Sequence, residues 1–291
     1  MIPFSVATYN IHWGIGQDNQ YDLQRIASVL KKTQADIVCL QEVHKNTSRF
    51  PNDAQHEIIA QLAGYKYIAY ASAMRGYPTS HDNHAPNNIG EYGISILSKF
   101  PIKTQAKTIY SNIYNLEPRV ALLCSVEINA ISATTDLGNF PDNKTQTPPA
   151  THETIWILNT HLSADWKGAA QYDEAQEMCA FLNKQIETDS INLRRTIIVG
   201  DFNSLSFFPC MWLLDDLGWK RSIPSDTYSL MRGRVTMNEP LLGFIPRCID
   251  YIFINKNTDF YIIKYSIIDT ELALLASDHF PVKAEFIIDS S

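Results

Sequence analysis

A recurring pattern of short apolar runs that stop at a polar residue constrains the fold of this chain more than any other feature. The first run spans residues 4–10 and ends at Asn10, and a second run at 37–40 leads directly to Glu42. A β-strand buries its apolar body and presents the side chain at its end to the edge of the sheet. Strands that end in Asn or Glu therefore predict a polar cleft at one sheet edge.

Helical and strand patterns alternate along the whole sequence. Apolar residues at helical spacing predict helices at 22–33, 54–62, 171–186 and 211–217. Runs rich in β-branched residues predict further strands at 66–71, 94–97, 120–128, 155–159, 196–199, 249–254 and 282–288. This alternation predicts layers of helix around extensive sheet, and we expect residues 1–291 to form one domain. Polar residues and prolines in 81–88 predict a loop, and those in 133–151 predict a surface-loop insertion.

The charge balance limits the partners that the whole surface can attract. Asp and Glu number 31 against 24 Lys and Arg, which gives a net charge of −7. This balance disfavours tight non-specific binding to nucleic acid, but it leaves a nuclease possible, because a local basic site or bound cations override the average charge.

The sequence contains no candidate segment for crossing or entering a membrane. No run approaches the roughly 20 apolar residues that cross a bilayer, and no basic region followed by an apolar segment marks a signal peptide at the start of this chain. We therefore expect no transmembrane segment, and the compartment stays open. The oligomeric state is also open, and a monomer is plausible.

The polar residues at the strand ends suit metal and phosphate chemistry. Hard cations such as Mg²⁺ bind carboxylate and amide oxygens together with water and phosphate oxygens. Hydrolysis of an anionic phosphoester needs a cation to neutralise the oxygens and a base to take the proton of the attacking water. A single Asp or His has an ordinary interpretation as a turn, a cap or a buried residue, but the pattern recurs at several separate strand ends. The candidates are Asn10, Glu42, Asn159, His161, Asp201, Asn203, Asp250, Asp278 and His279.

Seven short segments in a fixed order carry a resemblance to a known family. The chain resembles the endonuclease/exonuclease/phosphatase superfamily, which contains pancreatic-type deoxyribonucleases, apurinic endonucleases, neutral sphingomyelinases and inositol-polyphosphate 5-phosphatases. The resemblance spans nearly the whole chain. The matching segments are Thr8-Tyr9-Asn10-Ile11, Leu40-Gln41-Glu42-Val43, Tyr92-Gly93-Ile94-Ser95-Ile96-Leu97-Ser98, Asn159-Thr160-His161-Leu162, Gly200-Asp201-Phe202-Asn203, Ile249-Asp250-Tyr251-Ile252 and Ser277-Asp278-His279-Phe280-Pro281.

This resemblance implies both a fold and a reaction. The implied fold is an α/β (α+β) four-layered α/β/β/α sandwich, in which two mixed sheets pack face to face with helices outside and the active site lies at one edge. The implied activity is a hydrolase that depends on Mg²⁺, with Mn²⁺ as a possible substitute, and cleaves a phosphoester bond by in-line attack of water. Whether one or two metal ions act stays open.

Roles for the metal and for the base follow from the same resemblance. Glu42 is the implied principal metal-binding carboxylate, and Asn10 and Asp278 are expected close to the metal. His279 is the implied general base, or the group that orients the attacking water. Asp250 is expected to hold the imidazole of His279 in the useful tautomer.

The remaining roles concern the phosphoryl group. By resemblance, Asp201 and Asn203 bind the nucleophile, the phosphoryl group or a second metal, and His161 donates a hydrogen bond or a proton. Arg119 is expected to contact phosphate, and an exposed arginine without a role is the alternative. Glu91 is a candidate partner of the acid histidine.

The substrate is not determined by these motifs. His12 is a candidate substrate contact, and an ordinary loop histidine is the alternative. A nucleic acid and a phospholipid or phosphoinositide head group both fit the chemistry, and a catalytically silent binding module of the same fold is a rival function. Side chains expected near the cleft are Trp13, Trp166, Phe207, Phe208, Met211, Leu241, Leu242 and Phe244, together with Trp212, which is expected to pack inward, and a basic cluster of Arg232, Arg234 and Arg247.

Overall fold

Two six-stranded sheets form the centre of the protein. The computed structural model describes residues 1–47, 50–51, 53–76, 90–129, 152–222, 236–241 and 245–288. The first sheet contains, in spatial order, β13 (Phe260–Ile267), β14 (Val282–Ile288), β1 (Ile2–Asn10), β2 (Ile37–Lys45), β4 (Glu91–Ser98) and β3 (Tyr67–Arg75). The second contains β5 (Ile102–Ile109), β6 (Val120–Asn129), β7 (His152–His161), β8 (Thr196–Asp201), β12 (Asp250–Asn255) and β9 (Trp219–Arg221). Strands β10 (Met237–Leu241) and β11 (Ile245–Arg247) form a separate two-stranded ribbon.

Helices cover the outer face of each sheet. The first sheet is covered by α1 (Leu23–Thr33), α2 (Gln55–Ala63) and α5 (Glu271–Ala276), and the second by α3 (Ala169–Asp189) and α4 (Pro209–Asp216). In β2, Ile37 and Cys39 face the other sheet, whereas Val38 and Leu40 face the helices. Both faces are buried, which explains why this strand reads as a continuous apolar run. The expected four-layered α/β/β/α sandwich is confirmed.

Strand direction brings the polar strand ends together. Strands β1 and β2 are parallel, and so are β7 and β8, while the other pairs in the two sheets are antiparallel. Parallel strands end at the same edge, and the register places His161 opposite Asp201. Strand β12 runs the other way, so its first residue, Asp250, also lies opposite Asp201. Topology therefore delivers three of the predicted site residues to one edge.

A buried amide pair joins the two sheets just below that edge. Gln41 on β2 donates from Nε2 to Asn159 Oδ1 over 2.7 Å. Asn159 on β7 donates from Nδ2 to the backbone oxygens of Leu40, at 3.1 Å, and Ser95, at 2.9 Å. Asn159 was expected to supply chemistry at a strand end, but these bonds engage its whole amide in the contact between the sheets.

Several elements differ from the sequence prediction. The sequence did not predict helix α5 or strands β5, β9, β10, β11 and β13. Strand β5 has no apolar run because it is a polar edge strand with little buried surface. The expectation for Trp212 was wrong, because its side chain is 58% exposed while Cys210, Met211 and Leu214 form the buried face of α4. The predicted loop at 81–88 and the predicted insertion at 133–151 lie outside the described residues.

None of the helices in the described part of the chain is both long enough and apolar enough to cross a bilayer. One domain over residues 1–291 remains a prediction.

Candidate active site

Asn10, the last residue of β1, links carboxylates that come from different sheets. Its Nδ2 donates to Glu42 Oε1 over 3.1 Å and to Asp201 Oδ2 over 3.0 Å. Its Oδ1 accepts from the backbone N–H of His12 over 3.0 Å. The side chain is buried, so these three bonds use the amide on both sides. Asn10 therefore fixes the separation of two acidic groups.

A β-bulge aims Glu42 into the cleft. Between the pairs Leu40–Ser95 and Val43–Gly93, β2 has one residue more than β4. Glu42 takes the left-handed backbone conformation there, with a φ of 59°, which non-glycine residues adopt at a cost and mostly at functional sites. Its Oε2 is buried and has no hydrogen-bond partner among the described residues. An unpartnered carboxylate oxygen of this kind suits a cation.

Asp201, Asp250 and His279 form a compact buried group beside Glu42. One ligand atom from each of the three lies within 4.8 Å of the others. The Nδ1 of His279 is 2.9 Å from Asp250 Oδ2, and its Nε2 is 3.7 Å from Asp201 Oδ2. The other oxygen of Asp250, Oδ1, is buried and has no partner among the described residues. The group thus offers a second unsatisfied oxygen at the same edge.

Electrostatics inside this group favour bound positive charge. Burial alone would lower the pKa of His279, but the carboxylates of Asp250 and Asp201 outweigh burial and raise the pKa to about 10. Burial and the neighbouring Asp250 raise the pKa of Asp201 above its usual range. Burial also raises the pKa of Glu42, against the lowering effects of the Asn10 hydrogen bond and of nearby positive charge. The raised pKa values of Asp201 and Glu42 mean that their negative charge is unfavourable in this surrounding, and a divalent cation would stabilise it.

Arg119 and Asn203 lie on the two sides of the His161 imidazole. Arg119 Nη1 is 3.3 Å from Nδ1, and the amide nitrogen of Asn203 is 3.1 Å from Nε2. The guanidinium and the amide nitrogen can only donate, so each ring nitrogen faces a donor, and a neutral ring accepts from one of them. Nε2 also faces Asp201, whose Oδ2 is 3.6 Å away. Burial, followed by the charge of Arg119, lowers the pKa of His161 well below its usual range, so the neutral form is favoured.

Arg119 is held inside the cleft wall. It is only 9% exposed, which removes the alternative of an exposed arginine. It donates to Tyr92 Oη over 3.1 Å and to the Glu117 carboxylate. Tyr92 was missed as a site residue, although it opens one of the matching sequence segments. Glu91 forms an ion pair with Arg75 at 3.1 Å. The described contacts of the two ring nitrogens of His161 are with other groups, so Glu91 is not the observed partner of this histidine.

The rim next to β1 is formed by a tight left-handed turn. His12 and Trp13 have φ values of 44° and 56°. The Nδ1 of His12 donates to the backbone oxygen of Ile15 over 3.1 Å and lies 4.0 Å from Asp278 Oδ1. Asp278 Oδ1 is in turn 4.0 Å from Nε2 of His279. The structure therefore brings both residues to the mouth of the acidic group, and a substrate contact by His12 stays a prediction.

The apolar side chains expected near the cleft differ in how far they are exposed to solvent. Trp166 and Phe207 are exposed, by 82% and 59%, whereas Met211 is buried and Phe208 is half-buried. The basic residues at 232 and 234 and the apolar residues at 242 and 244 lie outside the described residues, and the side chains of Leu241 and Arg247 are also not described.

Residues 7–279 match the Endonuclease/Exonuclease/phosphatase family. The uncharacterized protein YbhP of Escherichia coli is 23% identical over 208 residues, a match that covers 69% of this chain and 66% of that protein, slightly less than two thirds of its length.

Solved structures give the same result at the level of the fold. An endonuclease/exonuclease/phosphatase from Beutenbergia cavernae superposes with a TM-score of 0.70 at 19% identity, covering 99% of this chain and 72% of the other. The human Nocturnin catalytic domain with bound sulfate gives 0.66 at 17%, covering 99% and 94%. TDP2 from Caenorhabditis elegans gives 0.62 at 18%, covering 98% and 74%.

Proposed function

The chain belongs to the endonuclease/exonuclease/phosphatase family, and on that premise we propose that it hydrolyses a phosphoester bond with the help of Mg²⁺ or Mn²⁺. One observation carries the proposal. Glu42 Oε2 and Asp250 Oδ1 are buried carboxylate oxygens that have no partner among the described residues. They lie at the same edge as a buried Asp–His pair, a guanidinium and a second imidazole.

The donor set at this edge fits a hard divalent cation. Glu42 is the proposed principal ligand, because its free oxygen is buried and its other oxygen is held by Asn10. Asp201 and Asp278 supply further oxygens around it. Asn10 already donates to both Glu42 and Asp201, so we propose that it holds these two carboxylates at a fixed distance from each other. When bound, the cation would neutralise phosphate oxygens and lower the pKa of a coordinated water.

The Asp250–His279 pair is the proposed base for the attacking water. Asp250 accepts the Nδ1 proton of His279 over 2.9 Å. A cation bound at the neighbouring carboxylates would disfavour the imidazolium, and Nε2 of the neutral imidazole would then accept a proton from water. Nε2 faces Asp201 at 3.7 Å and Asp278 at 4.0 Å, so water held between these groups lies within reach of the base.

The opposite wall is the proposed binding site for the phosphoryl oxygens. The Arg119 guanidinium and the Asn203 amide are donors, and the neutral His161 imidazole lies between them. Preorganised donors of this kind stabilise the charge that develops on phosphoryl oxygens in the transition state.

A matched pair of substitutions tests the proposed function. Glu42→Gln and Asp201→Asn remove charge with little change of shape, and each is expected to abolish metal-dependent hydrolysis of bis-p-nitrophenyl phosphate. Glu187→Gln and Asp216→Asn make the same changes at exposed positions and should leave the rate unchanged. Full activity in either site variant would refute the assignment.

The rival binding module and the substrate class are separated by two further measurements. Calorimetric titration with Mn²⁺ should show binding that Glu42→Gln removes. A panel of DNA, RNA, sphingomyelin and a phosphoinositide then identifies the substrate class. Absence of both metal binding and hydrolysis across the panel would favour the silent module.

A further inference from the structure

Helix α3 buries two polar side chains that the proposed chemistry does not use. Gln171 and Glu174 are three residues apart and therefore share a helix face. Gln171 is fully buried, and Glu174 is 7% exposed. Polar side chains of this size are rarely buried without hydrogen bonds that require them, and both lie beside the loops that leave β7 and β8.

Glu174 is attached at two points to the loop that follows His161. Its Oε2 accepts from the backbone N–H of Ser163 over 2.7 Å, and its Oε1 accepts from the hydroxyl of the same serine. Ser163 is two residues beyond His161, so the carboxylate fixes the backbone direction just after the imidazole. Burial raises the pKa of Glu174, while both hydrogen bonds from Ser163 act in the opposite direction.

Gln171 joins this loop to the turn that carries Asn203. Its Nε2 donates to the backbone oxygen of Asp165 over 2.8 Å and to that of Asn203 over 3.1 Å. Asn203 has a left-handed backbone with a φ of 47°, a conformation that needs support from its surroundings. A second link between the loop and the turn runs from Asn203 Nδ2 to the backbone oxygen of Leu162, over 2.9 Å.

We propose that Gln171 and Glu174 are positioning residues, which hold His161 and Asn203 at the separation that the phosphoryl group requires. The proposal rests on the proposed function for its catalytic meaning. Neither side chain contacts the acidic group at the metal side, so they act through the two loops. A displacement of about 1 Å in a catalytic group is enough to cost on the order of a hundredfold in rate.

The test compares substitutions on the inner face of α3. Gln171→Met and Glu174→Met remove the hydrogen bonds and keep much of the volume, whereas Glu174→Gln keeps an oxygen that can accept from Ser163. Leu182→Ala is the control, because it damages the core under the same helix at a position two to three turns away from both loops. Thermal melts identify how much each variant is destabilised.

Kinetics on bis-p-nitrophenyl phosphate give the first readout. We expect both methionine variants to lower kcat by about tenfold or more, with Mn²⁺ affinity within about twofold of the parent because the metal side is untouched. Glu174→Gln should restore part of the rate lost in Glu174→Met. Leu182→Ala should lower the melting temperature and leave kcat unchanged at temperatures where it is folded. Parental kcat in both folded methionine variants, or an equal loss in Leu182→Ala, would overturn the proposal.

Histidine NMR gives a second readout that does not depend on activity. In protein labelled with ¹⁵N-histidine, with the His161 signals assigned through His161→Gln, both methionine variants should shift the His161 ring resonances and leave those of His279 in place. Unmoved His161 resonances in both variants would refute positioning even for a chain that hydrolyses nothing. Shifted resonances in a protein without activity would instead contradict only the proposed function.

Discussion

Replacing Asp250 by Asn is expected to change the charge state of His279 in the metal-free protein. The carboxylates of Asp250 and Asp201 raise the pKa of His279 from 6.5 to about 10 against the lowering effect of burial. At about 1.4 kcal/mol per pH unit, that displacement corresponds to roughly 5 kcal/mol of preference for the imidazolium. Asp250 makes the largest contribution of the charged groups, so Asp250→Asn should lower the pKa of His279 far more than any other single change.

Titration by NMR in the presence of EDTA measures this effect directly. In the parent protein His279 should remain protonated throughout the neutral range, and in Asp250→Asn it should lose its proton there. Asp278→Asn is the internal control, because Asp278 Oδ1 is 4.0 Å from Nε2 and contributes least among the three carboxylates. Equal shifts in the two variants, or an unchanged pKa in Asp250→Asn, would refute the assignment of Asp250 as the partner that sets the charge of His279.

The same pKa predicts how stability depends on pH. The folded-state pKa of His279 lies above the value of 6.5, so its stabilising contribution is complete below pH 6.5 and is lost as the pH rises towards about 10. Asp201, whose pKa is raised from 3.8 to about 7, acts in the same direction at lower pH, between these two values. Thermal melts of the metal-free parent should therefore fall between pH 6.5 and about 10, and Asp250→Asn should flatten that fall. A parent melting temperature that rises across this range would contradict the sign.

Three further predictions concern the frame of the site. A Cβ on Gly200 would overlap the backbone oxygen of Thr160, so Gly200→Ala should lower the unfolding free energy by more than Gly64→Ala does. At Gly64 nothing lies within 4 Å of the added Cβ, and only backbone strain of about 1–2 kcal/mol acts. Equal urea midpoints for the two variants would contradict this. Asn159→Leu should cost about 1–3 kcal/mol for each buried group that loses its partner, in the same urea assay, and a loss below 1 kcal/mol would show that the inter-sheet bond is dispensable. Arg119→Met should raise KM for bis-p-nitrophenyl phosphate about tenfold or more through loss of charge-assisted hydrogen bonds, and an unchanged KM and kcat together would remove Arg119 from the site.

The layered fold and the edge that carries the site were predictable because both follow from simple patterns. Apolar runs identify strands, and the residue after each run must lie at a sheet edge. This reasoning located Asn10 and the turn at Asp201 correctly, since each is the last residue of its strand. The prediction failed for Asn159, which lies two residues before the end of β7 and faces the opposite sheet. Alternation along a strand predicts which face a side chain lies on, but it does not predict which residue of the other sheet that side chain contacts.

Other features lay beyond sequence reasoning for physical reasons. The bulge at Glu42 depends on register with β4, which no local pattern encodes. Gln171 and Glu174 appear as ordinary polar residues of a helix until the loops that they contact are placed. Trp212 was expected to pack inward at the start of its helix, although the direction of α4 over the sheet decides which residues of that helix are buried.

The bonds that cross from one sheet to the other give the site a mechanical property. Asn10 on the first sheet holds Asp201 on the second, and His279, just before β14, holds Asp250 on β12. A small slide of one sheet over the other would stretch both links while leaving every ladder of backbone hydrogen bonds intact. If the proposed function is right, the rate of hydrolysis reports the alignment of the two sheets, and mild denaturant should lower that rate before circular dichroism records any loss of strand.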